Sequence, residues 1–534
     1  MTSNSDHESR RNFLKSLGIL LGCQYFGTDV FAAQDKPAAK TGTAKTVAGS
    51  APAAKYKVSQ WTGDDFTLGH KLRAGEFPEL PEKAERKVDF VIVGGGIAGM
   101  TAAFYLKDHD TLVLEQYSDL GGHSRGSSYN GIAYSIGAAY IGPTDGIFGD
   151  LYSALSLENP VELPPERNQF NYQNEWFVGI KGEQPFYKEL NRLIKQCEPV
   201  WDGLPEVPNL VQYSTGALGK LDSTPLLSSM TGYSKDFLSV LNSFLRSSFG
   251  GGLELLSTLA GYGLLQDLIS TTHVFKGGNS AVGKALGNKM ESAGANRCQK
   301  NAFVWKIEGK DEGGASVVYS LADGSTHRVD CKQVIVATPA LVASRLLHHI
   351  PDMQKAQLFG FKYCSYLVAN MLMKHKLFKG TYDCFVGTPY TFADITVAET
   401  PYMKTNTYKP EMGSVLTVYQ PYANGIEGRA MFMMPDNRAE MASAVVKQME
   451  KLVPGFLGAI DEVVMTRWGH ALAIAGPGHY ARLAKIQALQ ASNAYSLCHS
   501  SYYGWPAIEC AITAGVESAA RAKKLAANPG IIVQ

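Results

Sequence analysis

One stretch, VDFVIVGGGIAGMTAAFYLKDHDTLVLEQ (residues 88–116), constrains the fold more than any other part of the 534-residue chain. A β-rich apolar run, Val88–Val93, leads into Gly94-x-Gly96-x-x-Gly99, with Ile97 and Ala98 between the last two glycines. A helix-forming run extends from Met100 to Lys107, and a second apolar strand ends on Glu115, twenty-one residues after Gly94. Each part has a mechanical reason. Gly94 permits a tight turn, Gly96 lets backbone approach a pyrophosphate, and Gly99 lets helix and strand pack closely. The helix N-terminus offers free amides and partial positive charge to phosphates, and an acid at the second strand's end accepts hydrogen bonds from a ribose diol. Strand, glycines, helix, strand and acid in register point to an α/β dinucleotide-binding unit.

The length supports a large core and two intertwined domains. A formal net charge of +1 gives no global field for nucleic acid. At the front, Ser9-Arg10-Arg11-Asn12-Phe13-Leu14-Lys15 precedes an apolar run, Leu17–Phe26, too short to span a bilayer as a permanent helix. Residues 1–33 therefore read as a twin-arginine signal peptide, which makes the twin-arginine machinery a partner and the periplasm the destination. Leu20-Leu21-Gly22-Cys23 offers a rival, a lipoprotein box that would attach the chain to the membrane through Cys23. Residues 34–60, rich in Ala, Thr, Pro and Lys, read as a disordered tether. The eight cysteines include no C-x-x-C pair, so they read as buried free thiols, and no His/Cys spacing suggests a metal site.

Strand-like runs lie at 89–93, 111–115, 316–320 and 333–337, and helical patterns at 236–268, 439–452 and 507–527. Dinucleotide-type signals are missing from about 150–270 and 346–465. The expected organisation is one domain built from 61–149, 271–345 and 466–534, with a second inserted as 150–270 and 346–465.

The segment after Glu115 resembles the flavin-containing amine oxidase family. DLGGHSRGSSYNGIAYSIGAAYIGPTDG carries a second glycine pair, Gly121-Gly122, and then a strand and turn, including Ala139, similar to those that pass the flavin ring in that family. FKGGNSAVGKAL (275–286), NAFVWKI (301–307), VIVATPA (334–340) and YYGWPAIECAITAGVESAARA (502–522) resemble its remaining cofactor segments. The resemblance implies a Rossmann-like FAD-binding domain with an inserted mixed-sheet and helical substrate domain, and non-covalent FAD. It assigns cofactor contacts to Gly94, Gly96, Ile97, Ala98, Gly99, Glu115, Gly122, Ala139, Val304 (through its backbone), Glu509 and Ala511. There are departures: His123 stands where the family has arginine, so Arg125 is expected to take the pyrophosphate-side role; Ser135 replaces an acid, and Cys510 a glycine.

The implied reaction moves a hydride from the carbon beside an amine nitrogen, polyamines included, to flavin N5, with oxygen or another acceptor taking the electrons. The cofactor supplies the electron chemistry and the protein supplies orientation and dryness, consistent with the lack of any triad or carboxylate pair that stands out. Trp505 and Tyr503 are the expected aromatic walls of the amine site, Tyr502 being a further candidate, since ring faces accept amines without adding charge. The lysine that the family sets against N5 is missing at the matching positions, Val368 and Ala369, which favours a dehydrogenase over an oxidase. Two rivals keep the flavin: desaturation or isomerisation of an apolar lipid, and a non-catalytic periplasmic binding or assembly role.

Overall fold

In the computed structural model, which describes residues 56–204, 216–294, 297–310, 313–348, 350–434, 437–489 and 495–527, the first sheet grows outward from the glycine-loop strand. The leader and the tether up to residue 55 lie outside the described residues. Strand β3 (Arg86–Val93) is buried along Phe90–Val93, as a parallel strand covered on both faces must be. Val93 sits level with Leu114 of β4 (Thr111–Leu114) on one side and with Val336 of β14 (Thr326–Val336) on the other. Two further strands extend the parallel part: β11 (Cys298–Gln299) beside β4, and β20 (Tyr495–Leu497) beside β14. An antiparallel meander of β14, β13 (Ala315–Ser320) and β12 (Phe303–Gly309) completes the sheet.

A second, mixed sheet of nine strands runs β1 (Lys57–Val58), β19 (Ile460–Trp468), β15 (Ser365–Met373), β18 (Ser414–Tyr422), β17 (Asp394–Val397), β16 (Asp383–Val386), β8 (Asn168–Tyr172), β9 (Glu175–Val178), and β2 (Thr62–Gly63) also pairs with β19. Lys57 and Val58, at the end of the stretch read as tether, are thus already paired with Glu462 and Val463. Two small ribbons, β5 (Gly126–Tyr129) with β6 (Ile132–Ser135) and β7 (Val161–Leu163) with β10 (Thr272–Val274), lie outside both large sheets. The fold is a Rossmann-like α/β unit with an inserted mixed sheet and helices. Side chains of the large sheet alternate. Leu367, Ala369, Met371 and Met373 of β15 pack with Val445 and Met449 of helix α6 (Asn437–Leu452), whereas Tyr366 and Val368, with Tyr419 and Trp468, join the main core shared with the first sheet.

Helix α1 (Ile97–Tyr105) is buried from Ile97 to Phe104, enclosed by α5 (Ser280–Ser292) and the long C-terminal α7 (Ile508–Ala527). The approach to α7 is close: a β-carbon on Gly515 would lie 2.6 Å from the Ala98 carbonyl oxygen. Helix α2 (Pro185–Trp201) sets Phe186 against Phe170 of β8, with ring centroids 5.2 Å apart. The helical pattern at 236–268 is two helices, α3 (Lys235–Phe249) and α4 (Thr258–Leu265). Gly250, at φ +69°, ends α3 in a left-handed cap whose amide bonds Arg246 O, the stop that glycine supplies cheaply. Among the described residues no helix is long and apolar enough to cross a membrane.

Candidate cofactor and substrate site

The three motif glycines are held for different reasons. Gly94 has φ +110°, and a side chain there would meet Ala337 O at 2.5 Å. A β-carbon on Gly99 would lie 2.0 Å from Gly94 O. Gly96, the N-cap of α1, has an ordinary φ of −75°, and the nearest atom to an added β-carbon is Gly122 Cα at 3.8 Å. The fold itself therefore demands glycine at 94 and 99 but not at 96. Gly122 (φ +58°) approaches Gly96 across the groove, and Gly121 N donates to Gly95 O at 2.8 Å. The bare backbone between Gly96 and Gly122, at the start of a buried helix, is a cradle that a side chain would fill, and it fits a dinucleotide pyrophosphate.

Around that groove, Glu115 is buried and its carboxylate is already oriented: Gly95 N donates to Oε2 at 2.6 Å and Tyr117 N to Oε1 at 2.9 Å. Burial pushes its pKa up, and the two amides oppose that; a carboxylate so held still has lone pairs for a ribose. Arg125 lies between the rings of Tyr117 (4.8 Å) and Trp468 (5.1 Å), with Nε donating to Gly122 O at 3.0 Å. His123 presents its ring edge-on to Trp468 at 4.7 Å. Val304 is buried at the start of β12, whose lead-in is tied to the end of β4 by Ala302 N donating to Glu115 O at 2.8 Å.

Glu509 sits in the first turn of α7 and accepts from Gly142 N at 2.7 Å; burial pushes its pKa up to about 7. Ala511 is half-buried and Cys510 fully buried beside it. Trp505 and Tyr503 are sent to different neighbours. Trp505 is edge-on to Phe249 of α3 at 4.8 Å and presses on Gly263 of α4, while the Tyr503 hydroxyl donates to Glu517 of α7 at 2.5 Å. They do not face each other as a pair, and Tyr502 is wholly buried core. His470 and His499 are half-buried with pKa values pushed down to about 3, and buried His479 to about 4, each chiefly by burial, so all three are neutral near pH 7.

A carboxylate cluster that does not stand out in the sequence lies on the inner face of the large sheet. Asp383 and Asp394 are 2% and 3% exposed. Arg167 Nε stands 3.6 Å from Asp383, while its Nη1 and Nη2 donate to the carbonyls of Ser270 (2.7 Å) and Asp267 (2.9 Å). Burial pushes Asp383 up to about 6 against the pull of Arg167, and burial and then Asp383 push Asp394 up. Half-buried Asp267 is likewise raised, chiefly by desolvation. Of the two positions matched to the family's lysine, Val368 is buried between Tyr419 and Thr466 on this same face, whereas Ala369 points the other way.

Known proteins resemble this chain in sequence and in fold. The model of the "Flavin containing amine oxidoreductase" family matches residues 97–523. Over 83 residues the chain is 37% identical to horse flavin-containing amine oxidase A, a match covering 15% of this chain and 16% of that protein. Over 283 residues it is 27% identical to AofH of Mycobacterium tuberculosis, a candidate flavin-containing monoamine oxidase, covering 47% of this chain and 57% of that one. The matches thus span well under two thirds of these relatives. Two solved structures share the fold: a putrescine oxidase variant (TM-score 0.63, 15% identity, 82% of this chain and 99% of that one), and cyclohexylamine oxidase from Brevibacterium oxydans (TM-score 0.63, 17% identity, 82% and 99%).

Proposed function

Because the chain belongs to the flavin-containing amine oxidoreductase family, we propose that it oxidises a primary or secondary amine, polyamines included, with non-covalently held FAD. The bound cofactor would accept the hydride from the carbon next to nitrogen at flavin N5. Gly96, Gly122 and the first turn of α1 would hold its pyrophosphate, and Glu115 its ribose. The observation that carries the substrate reading is the inner face of the large sheet. Two buried acids, Asp383 and Asp394, lie on it, and buried Arg167 stands beside Asp383 while donating to the carbonyl of half-buried Asp267. Among the described residues, Asp383 Oδ1 and both amide atoms of its strand neighbour Asn168 have no hydrogen-bond partner. Such a face suits a cationic amine and would reject an apolar lipid, because buried acceptors would be left unpaired. Acids raised to about 6 and 7 (Asp383, Glu509) are matched to taking a proton from an ammonium near neutral pH.

Anaerobic mixing of the purified protein with a panel of mono-, di- and polyamines is expected to bleach the oxidised flavin's absorbance. Bleaching by apolar lipids alone, or by nothing, would count against the reading. With valine and alanine at 368 and 369, where the family has a lysine, reoxidation is expected to be faster with an artificial acceptor than with oxygen. Export by the twin-arginine route to the periplasm is proposed from Arg10 and Arg11. Mass spectrometry of the periplasmic protein is expected to find a start just after Ala32 or Ala33; a lipidated Cys23 would instead mean membrane attachment, and an intact Met1 would remove the export reading.

A further inference from the structure

The carbonyls of residues 135 to 139 each accept a hydrogen bond from a side chain. Asn370 Nδ2 donates to Ser135 O at 2.9 Å, Trp468 Nε1 to Ile136 O at 2.8 Å, and the Tyr419 hydroxyl to Gly137 O at 2.8 Å. Ser135 Oγ donates to Ala138 O at 2.6 Å, and the Tyr382 hydroxyl to Ala139 O at 2.8 Å. Four of these donors belong to the large sheet: Asn370 in β15, Trp468 in β19, Tyr419 in β18, and Tyr382 just before β16. All four are 8% exposed or less. Successive carbonyls of a regular strand point to opposite sides, so one sheet could reach only alternate ones. Here the chain leaves β6 at Ser135 and turns, and every carbonyl finds a donor.

The amide side of the strip faces the cofactor cradle. Ile136 N donates to Arg125 O at 3.0 Å and Ala138 N to His123 O at 3.1 Å, both in the turn just after Gly122. Space on that side is tight, since a β-carbon on Gly137 would lie 2.1 Å from His123 O. Trp468 serves both sides at once, with its indole N–H on the strip and its ring against His123 and Arg125. The sheet assigned to substrate therefore sets the position of the turn assigned to the dinucleotide.

We propose that Asn370, Trp468, Tyr419 and Tyr382 are positioning residues for the flavin: they fix strip 135–139 and, through it, the Gly121–Arg125 turn of the cradle. The proposal rests on the assignment of FAD to the cradle and not on the amine. Phenylalanine for tyrosine removes a donor and keeps the ring, and Tyr366 supplies a matched control. Its hydroxyl lies on the same sheet face, equally buried, but donates to Ser247 O in α3 at 2.8 Å. Tyr419→Phe and Tyr382→Phe are each expected to weaken FAD binding about tenfold, the effect of one buried hydrogen bond, and to change the visible circular dichroism of bound flavin. Tyr366→Phe is expected to lower Tm and leave both readouts as in the wild type. FAD affinity and flavin spectrum unchanged in both strip variants, or shifted equally by Tyr366→Phe, would overturn the proposal. Should one strip variant fail to fold, the other decides. A wild-type chain that takes up no FAD in the same titration would sink the cofactor assignment together with the proposal; a wild type that binds while the variants match it would sink the proposal alone.

Discussion

Alanine in place of Gly96 is expected to give a folded chain that no longer holds flavin, and alanine in place of Gly99 a chain that no longer folds well. The chemical change is the same and the positions are three residues apart. At Gly96 the backbone is ordinary (φ −75°, ψ 179°) and the new methyl would be 3.8 Å from its nearest neighbour. The fold loses only the preference for glycine over alanine at an N-cap, about 1 kcal/mol or less. A methyl standing in the groove where pyrophosphate must approach backbone is expected to cost about a hundredfold in FAD affinity, or about 2.7 kcal/mol. At Gly99 the methyl would be 2.0 Å from the Gly94 carbonyl oxygen and 3.0 Å from the Ala337 side chain. Backbone cannot rotate away, so α1 must lift off β3. Overpacking of this kind costs about 1–3 kcal/mol or more in a well-packed core, about 2–4 °C in Tm per kcal/mol for a large domain. Melting without added FAD, and then FAD titration, separates the two. Wild-type affinity in Gly96→Ala, or a wild-type melt in Gly99→Ala, would show that the glycines are held for other reasons.

That contrast also marks what a sequence can display. The motif from Gly94 to Glu115 is local, so its spacing alone foretells strand, turn, helix and acid. The paired acids Asp383 and Asp394 are invisible in the same way of reading, because β15 to β18 are buried on both faces. SYLVANMLM, all nine residues of β15, is buried, and the period of two that would reveal an inward face is masked. Arg167, far away in the chain, reaches Asp383 only through the pairing of β8 with β16. Trp505 and Tyr503 fail as a facing pair for a smaller reason. Gly504 between them takes φ +78°, and this left-handed turn sends one ring toward α3 and α4 and the other toward α7. The break in the 236–268 helical pattern is likewise a left-handed glycine, Gly250, whose conformation composition alone does not disclose.

Leucine in place of Arg167 is expected to cost about 3–5 kcal/mol at pH 8, the range for breaking a buried ion pair from one side, and clearly less at pH 5. Asp383 has its folded pKa raised to about 6, from an ordinary value of 3.8. The folded chain therefore binds this proton more tightly than the unfolded chain, and stability from this group falls as pH rises from about 4 through about 6. Arg167 limits that fall by stabilising the ionised form. Without it the folded pKa rises further, and at pH 8 the chain must hold either an unpaired buried carboxylate or a proton taken up at a cost. At pH 5 Asp383 is mostly neutral with or without Arg167, so the loss reduces to the arginine's packing and its two bonds to Ser270 O and Asp267 O. Adding Asp383→Asn to Arg167→Leu is then expected to recover stability at pH 8 and little at pH 5. Urea unfolding at the two pH values measures this, and an equal loss at both would mean that Arg167 acts through packing and its carbonyl bonds alone.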